Sequence, residues 1–226
     1  MPDLFPTTEE AAQDPAGKPG IVNHLGPDSF EADGLRPFFE YRPLGLKELT
    51  GGKVGAHAGT MTVMASGKEA AFEKAGPVLE AISTKVWRLG DAAGIGSTVK
   101  MVNQLLAGVH IATAAEAMAL GIRAGADPQT LYDVISESAG SSWMFQNRVP
   151  HILAGDDTPL SAVNIFVKDL GIVLDQARSL TFPLPMASAA HQLFLGAAAN
   201  GQGAKDDAFV IRVWQALTGI DLPKCE

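Results

Sequence analysis

The chain has 226 residues, 46% of them hydrophobic and 19% charged, enough for one or two domains with packed cores. Seventeen basic residues against 25 acidic ones give a net charge of −8, which argues against nucleic acid or an anionic membrane surface as a partner. One cysteine, Cys225, rules out an internal disulfide framework. The acidic start MPDLFPTTEE and the lack of an apolar run near the ~18 residues of a membrane span predict a soluble, cytoplasmic protein.

Residues 1–50 are rich in proline, glycine and acid (PTTEEAAQDPAGKPG, HLGPDSFEADGLRP), which predicts an irregular segment with one short helix near Leu46–Leu49. From Gly51 the texture changes. TMTVMAS (60–66) alternates and is β-branched, as a strand is; KEAAFEKAGPVLEAIS (68–83) is an amphipathic helix that Pro77 should kink or divide. KVWRLG (85–90) reads as a second strand, so residues 51–92 are expected to form a partial Rossmann-type β-α-β remnant.

The segment GDAAGIGSTVKMVNQ (90–104) then runs from a glycine turn at Gly94 and Gly96 into a long helix ending near Arg123. Lys100 and Asn103, three apart, share one helical face. A helix start offers free N–H groups to a carboxylate or phosphate, and a lysine one turn in can serve as a general acid/base. On spacing alone, an ordinary loop-to-helix entry with a solvated lysine remains open. The apolar positions Val99, Val102, Leu106, Val109 and Thr113 predict the buried stripe, with Lys100, Asn103, Ala107 and His110 on a neighbouring face.

Asp127-Pro128 has the form of a capped helix start, with Leu131, Val134 and Ile135 expected behind it. Ser138–Ser142 should end that helix. Ser141-Ser142-Trp143 either reads substrate hydroxyls or is a turn leading to a core tryptophan. Further on, Val163, Phe166, Val167, Leu170, Leu174 and Ala177 form an apolar face opposite Asn164, Lys168, Gly171 and Asp175. Helices over about 185–199 and from Asp206 to Thr218 complete a helical domain, expected over residues 93–226. The five histidines are scattered and give no metal-ligand pattern, so no metal is expected.

Three separated stretches, TGGKVGAHAGTMTVMASG (50–67), GDAAGIGSTVKMVNQLLAG (90–108) and FVKDLGIVLDQA (166–177), resemble the β-hydroxyacid dehydrogenase family, to which 3-hydroxyisobutyrate dehydrogenase belongs. Gly94, Gly96, Lys100 and Asn103 fill its GxGxxxKxxN signature, and GQGAKD (201–206) looks like its C-terminal G-x-G-x-x-D. The resemblance implies a mainly α fold: an all-helical domain like that of 6-phosphogluconate dehydrogenase, serving substrate binding and oligomerisation, preceded by the short β-α-β remnant. It implies NAD or NADP as cofactor and a small hydroxy acid as substrate. The wording VKMVNQLLAGVHIATAAEAMALGIRAG points to the branch acting on L-threonate.

Residue by residue, the resemblance makes Lys100 the acid/base, Asn103 the holder of the substrate hydroxyl, and Lys168 the lysine that reaches the cofactor. Thr50, Gly51 and Gly52 match the turn that binds the substrate carboxylate. It further implies a homo-oligomer, a dimer or tetramer, with neither nucleic acid nor membrane as partner. No G-x-G-x-x-G fingerprint occurs, so the dinucleotide-binding part is expected to be largely missing. The alternative reading is therefore a truncated, cofactor-deficient remnant acting as a binding or oligomerisation module.

Overall fold

In the computed structural model, which describes residues 59–222, the first elements are strand β1 (Met61–Ala65), helix α1 (Glu69–Ile82) and strand β2 (Ser83–Arg88). The strands pair in parallel, which needs a crossover connection, and α1 supplies it. Helix α1 continues as one helix through Pro77, so the expected division does not occur. Pro77 and Glu73, whose carbonyl loses its helical donor, are both exposed, so water can take that donor's place. The expectation of a short helix at Leu46–Leu49, like the rest of residues 1–50, lies outside the described residues.

The helical elements that follow are α2 (Ile95–Arg123), α3 (Pro128–Ser136), α4 (Trp143–Ala154), α5 (Val163–Ser179) and α6 (Pro185–Ala197). A π-helical turn (Ala198–Gln202), a 3-10 helix (Asp207–Ile211) and α7 (Arg212–Thr218) close the described chain. The described residues divide into two compact units, 59–63 with 69–87, and 64–68 with 88–222. In the first, Phe72 is the buried residue of α1. The second is built around α2, which touches α3, α4, α5, α6, the 3-10 helix and α7.

The buried face of α2 is not the one its large side chains suggested. Val99, Val102 and Leu106 are 38%, 49% and 49% exposed, Thr113 is exposed and Val109 is half-buried. Ala107, Gly108, Ile111, Ala112, Ala114, Ala115, Met118 and Ala119 are buried instead. Apolar residues surround this helix, so periodicity alone could not fix its rotation. Close helix packing decides it: a Cβ on Gly108 would lie 2.9 Å from Phe166 Cδ1 and 3.1 Å from Leu170 Cδ1. The small residues let α5 approach, and the bulk comes from the neighbours. Phe166 stacks on Phe194 of α6 at 5.2 Å, and Leu170, Met118 and Phe194 are fully buried. Each such side chain contributes roughly 1.5–3 kcal/mol on burial.

Length and hydropathy alone would let α2 cross a membrane, against the expectation that no segment approaches a span. Its contacts on several sides make it the central helix of this unit. Other corrections are local. Val134 is 60% exposed rather than buried behind the α3 cap, and Trp143 is 68% exposed rather than a core residue. Helix α4 was not anticipated. Ser142 caps it, its hydroxyl accepting from Phe145 N–H at 3.0 Å, and left-handed Gly155 ends it. The apolar face of α5 is as expected, with Val163, Phe166, Leu170 and Ala177 buried and Val167 and Leu174 half-buried.

Candidate active site

Gly94 and Gly96 set where α2 begins. Gly94 is its N-cap at φ 96°, a left-handed conformation that favours glycine. Gly96 is buried against Met64 and Ala65, where a Cβ would meet the Met64 carbonyl oxygen. Its N–H donates to Ser66 Oγ at 3.1 Å. This anchorage fixes the first turns of α2, from which Lys100 and Asn103 project, both exposed.

The two side chains converge on a residue the sequence reading did not select. Gln104 Oε1 accepts from Lys100 Nζ at 2.7 Å and from Asn103 Nδ2 at 3.1 Å. Gln104 Nε2 in turn donates to Asp169 Oδ2 of α5 at 2.6 Å, across 65 residues of sequence. Asp169 is largely buried, 14% exposed, and its other oxygen lies 2.9 Å from Lys168 Nζ, whose side chain is 63% exposed. Lys100, Asn103 and Lys168 thus belong to one polar network at the seam of α2 and α5. The available signal was adjacency, since Gln104 follows Asn103 and Asp169 follows Lys168. Thr50, Gly51 and Gly52 lie outside the described residues.

The C-terminal GQGAKD stretch positions α5. The first helical N–H groups have no partner within their own helix. Here Val163 N–H donates to the Lys205 carbonyl at 3.0 Å and Asn164 N–H to that of Gly203 at 2.9 Å. Asp206 holds the stretch in place, accepting from Leu160 N–H at 2.9 Å and Ala208 N–H at 3.0 Å. Below it, fully buried Asp207 receives Arg148 Nε at 2.6 Å and Nη2 at 3.3 Å. Burial pushes the Asp207 carboxyl above the usual carboxylate range, and Arg148 pulls it the other way.

Ser141 and Ser142 do not join the lysine network. With His110, Thr113, Ile135 and Phe145 they line a separate cavity of about 350 Å³ further along α2. Exposed Trp143 is not among its lining residues.

At the network itself, two ammonium groups open to solvent, held by neutral and acidic acceptors, suit anionic groups such as a substrate carboxylate or a cofactor phosphate. Lys168 offers a cofactor phosphate one cationic contact, and the described residues contain no G-x-G-x-x-G turn.

Comparison with known proteins gives a consistent result. Residues 94–214 match the family described as NAD-binding of NADP-dependent 3-hydroxyisobutyrate dehydrogenase. Residues 48–90 match the NAD binding domain of 6-phosphogluconate dehydrogenase. An L-threonate dehydrogenase of Cupriavidus necator is 54% identical over 221 residues, covering 97% of this chain and 73% of that protein. An L-threonate dehydrogenase of Escherichia coli K12 is 55% identical over 170 residues, covering 75% of this chain and 56% of that protein. Among solved structures, 3-hydroxyisobutyrate dehydrogenase from Salmonella typhimurium is 57% identical with a TM-score of 0.66, over 70% of this chain. The Mycobacterium tuberculosis enzyme with L-serine is 29% identical with a TM-score of 0.65. This chain spans 55% and 56% of those two structures. With its mainly helical fold and NAD-binding domain matches over most of its described length, the chain belongs to the 3-hydroxyisobutyrate dehydrogenase family of NAD(P)-dependent hydroxyacid dehydrogenases.

Proposed function

We propose that this protein oxidises a secondary hydroxyl of a small hydroxy acid, L-threonate, with Lys100 as the acid/base. The carrying observation is the convergence of Lys100 and Asn103 on Gln104, one carboxylate away from Lys168. Bound NAD(P) supplies the hydride acceptor. Lys100 Nζ takes the hydroxyl proton as the C–H bond is broken, which requires it to enter that step as the neutral amine. Asn103 holds the same hydroxyl in line through its amide. Lys168 reaches toward the cofactor's negative charge from α5. Thr50, Gly51 and Gly52 bind the substrate carboxylate in this reading, and the protein acts in the cytoplasm. The L-threonate dehydrogenases of C. necator and E. coli support the choice of substrate.

The same reading makes the domains residues 1–50, 51–92 and 93–226, and the assembly a homo-oligomer. Leu120 at 70%, Leu180 at 66%, Phe182 at 62% and Met186 at 65% exposure are apolar surface that pairing with a second copy would cover. They also favour the second reading, in which the chain is a binding or oligomerisation module without cofactor.

Calorimetric titration with NAD⁺ and NADH separates the two. Micromolar binding that weakens in Lys168→Ala, with L-threonate turnover that vanishes in Lys100→Ala, is the expected result. No heat up to millimolar cofactor would leave the module reading.

A further inference from the structure

An amide side chain has two ways to lie, carbonyl one way and NH₂ the other, and a neighbour that only accepts selects between them. Gln104 sits between Lys100 and Asn103, which both donate to it, and Asp169, whose Oδ2 accepts from it. Turned over, its NH₂ would face the NH₂ of Asn103, and its carbonyl would face the Asp169 carboxyl oxygen. We infer that Gln104 is a positioning residue for Lys100, and that the Asp169 carboxylate is what orients it. This inference rests on the assignment of Lys100 as the acid/base.

The geometry gives this arrangement a chemical purpose. Gln104 Oε1 holds the lysine nitrogen at 2.7 Å with a neutral acceptor. A carboxylate in the same place would hold it as well but would favour the charged ammonium, which cannot accept a proton. The charge needed to orient the amide is set one residue further away, on Asp169, where Lys168 lies 2.9 Å from its second oxygen. Distance and an intervening dipole thus keep Asp169 from acting on Lys100 as a direct ion-pair partner. The seam between α2 and α5 is a fixed frame for this relay, because Gly108, one turn beyond Gln104, brings the helices into contact at Phe166 and Leu170.

The relay also joins the two lysines. Asp169 divides its oxygens between Gln104 and Lys168, so an anion that draws the Lys168 ammonium away leaves Asp169 to Gln104 alone. Engagement of Lys168 therefore tightens the hold on Gln104, and through it on Lys100.

The test uses the full chain with Asp169→Asn, Gln104→Glu and Lys100→Ala. NMR of the Gln104 side-chain amide in the protein alone reads the relay without turnover. One Nε2 proton should exchange slowly in the parent and at least tenfold faster in Asp169→Asn; equal fast exchange in both overturns the orientation. In turnover with NAD⁺ and L-threonate, kcat should fall at least tenfold in Asp169→Asn and Gln104→Glu while KM stays within threefold. The acid limb of the pH–rate profile should move upward by a pH unit or more in Gln104→Glu and stay in place in Asp169→Asn. A kcat within twofold of the parent in both variants, with activity still lost in Lys100→Ala, overturns the relay and leaves Lys100 in its role. Activity that survives in Lys100→Ala overturns the assignment of Lys100, and the relay's catalytic role with it.

Discussion

The carbonyl oxygen of Met64 occupies the space beside the Cα of Gly96, so that a Cβ there would lie only 2.5 Å from it. Both contact groups are backbone, which cannot swing aside as a side chain can. Gly96→Ala should therefore destabilise the fold by about 1–3 kcal/mol, the usual range for forced overpacking. Urea midpoints of parent and variant measure this, and an unchanged midpoint would show that the first turn of α2 gives way freely. Gly94→Ala should also destabilise, because residue 94 stands at φ 96°.

Lys100 is exposed, so its removal should cost little stability and much activity. Lys100→Ala should stay within about 0.5 kcal/mol of the parent, as surface substitutions do. Turnover should fall by roughly 10²–10⁴, the range for a lost general acid/base. A thermal melt and a rate measurement on one preparation check both halves.

Arg148 and Asp207 form a buried pair. Arg148→Met strands a carboxylate at a site with no solvent exposure and should cost roughly 3–5 kcal/mol. Replacing both, Arg148→Met with Asp207→Leu, should recover much of that loss, because no charge is then left behind. Denaturant titration of the three proteins tests the pair. A double variant no better than Arg148→Met would mean that Asp207 matters for its packing or other hydrogen bonds instead.

Acid should act on this protein in two opposed ways. The Asp207 carboxyl is raised by burial, so its folded form takes up a proton before its unfolded form, whose value is near 3.8. Its contribution is fully present below 3.8 and is lost as pH rises through the folded value. Asp127 and Asp156 are lowered, by hydrogen bonds from Thr130 and Thr158 respectively. Their contributions are present above 3.8 and are lost as pH falls through their folded values. Melting temperatures from pH 7 to 2 should therefore show the acid loss reduced in Asp127→Asn, and the opposing gain on acidification absent in Asp207→Asn.

Local signals were legible in the sequence. The alternation in TMTVMAS gave β1, the Asp127-Pro128 pair gave the start of α3, and the run from Val163 to Ala177 gave the buried face of α5. The rotation of α2 was not legible. Val102 and Leu106 outrank Ala107 and Gly108 in hydrophobicity, yet helix contact selects for smallness. Helix α4 was hidden because Trp143, at its start, reads as a core residue and lies exposed. The Gln104–Asp169 bond joins positions 65 residues apart, and no local pattern in either segment announces it.

The hold that Gly203 and Lys205 keep on the start of α5 also orders events during synthesis. Lys100 and Gln104 emerge from the ribosome early, but the stretch that seats the helix carrying Lys168 and Asp169 emerges about a hundred residues later. At roughly 5–20 residues per second, that gap is about 5–20 s. Throughout it the apolar face of α2 is open to other chains, and over its last part, once Val163 has been made, so is that of α5, whose start still lacks its native cap. Co-translational crowding on polysomes thus has a defined window in this protein, which closes only when Asp206 and Asp207 arrive.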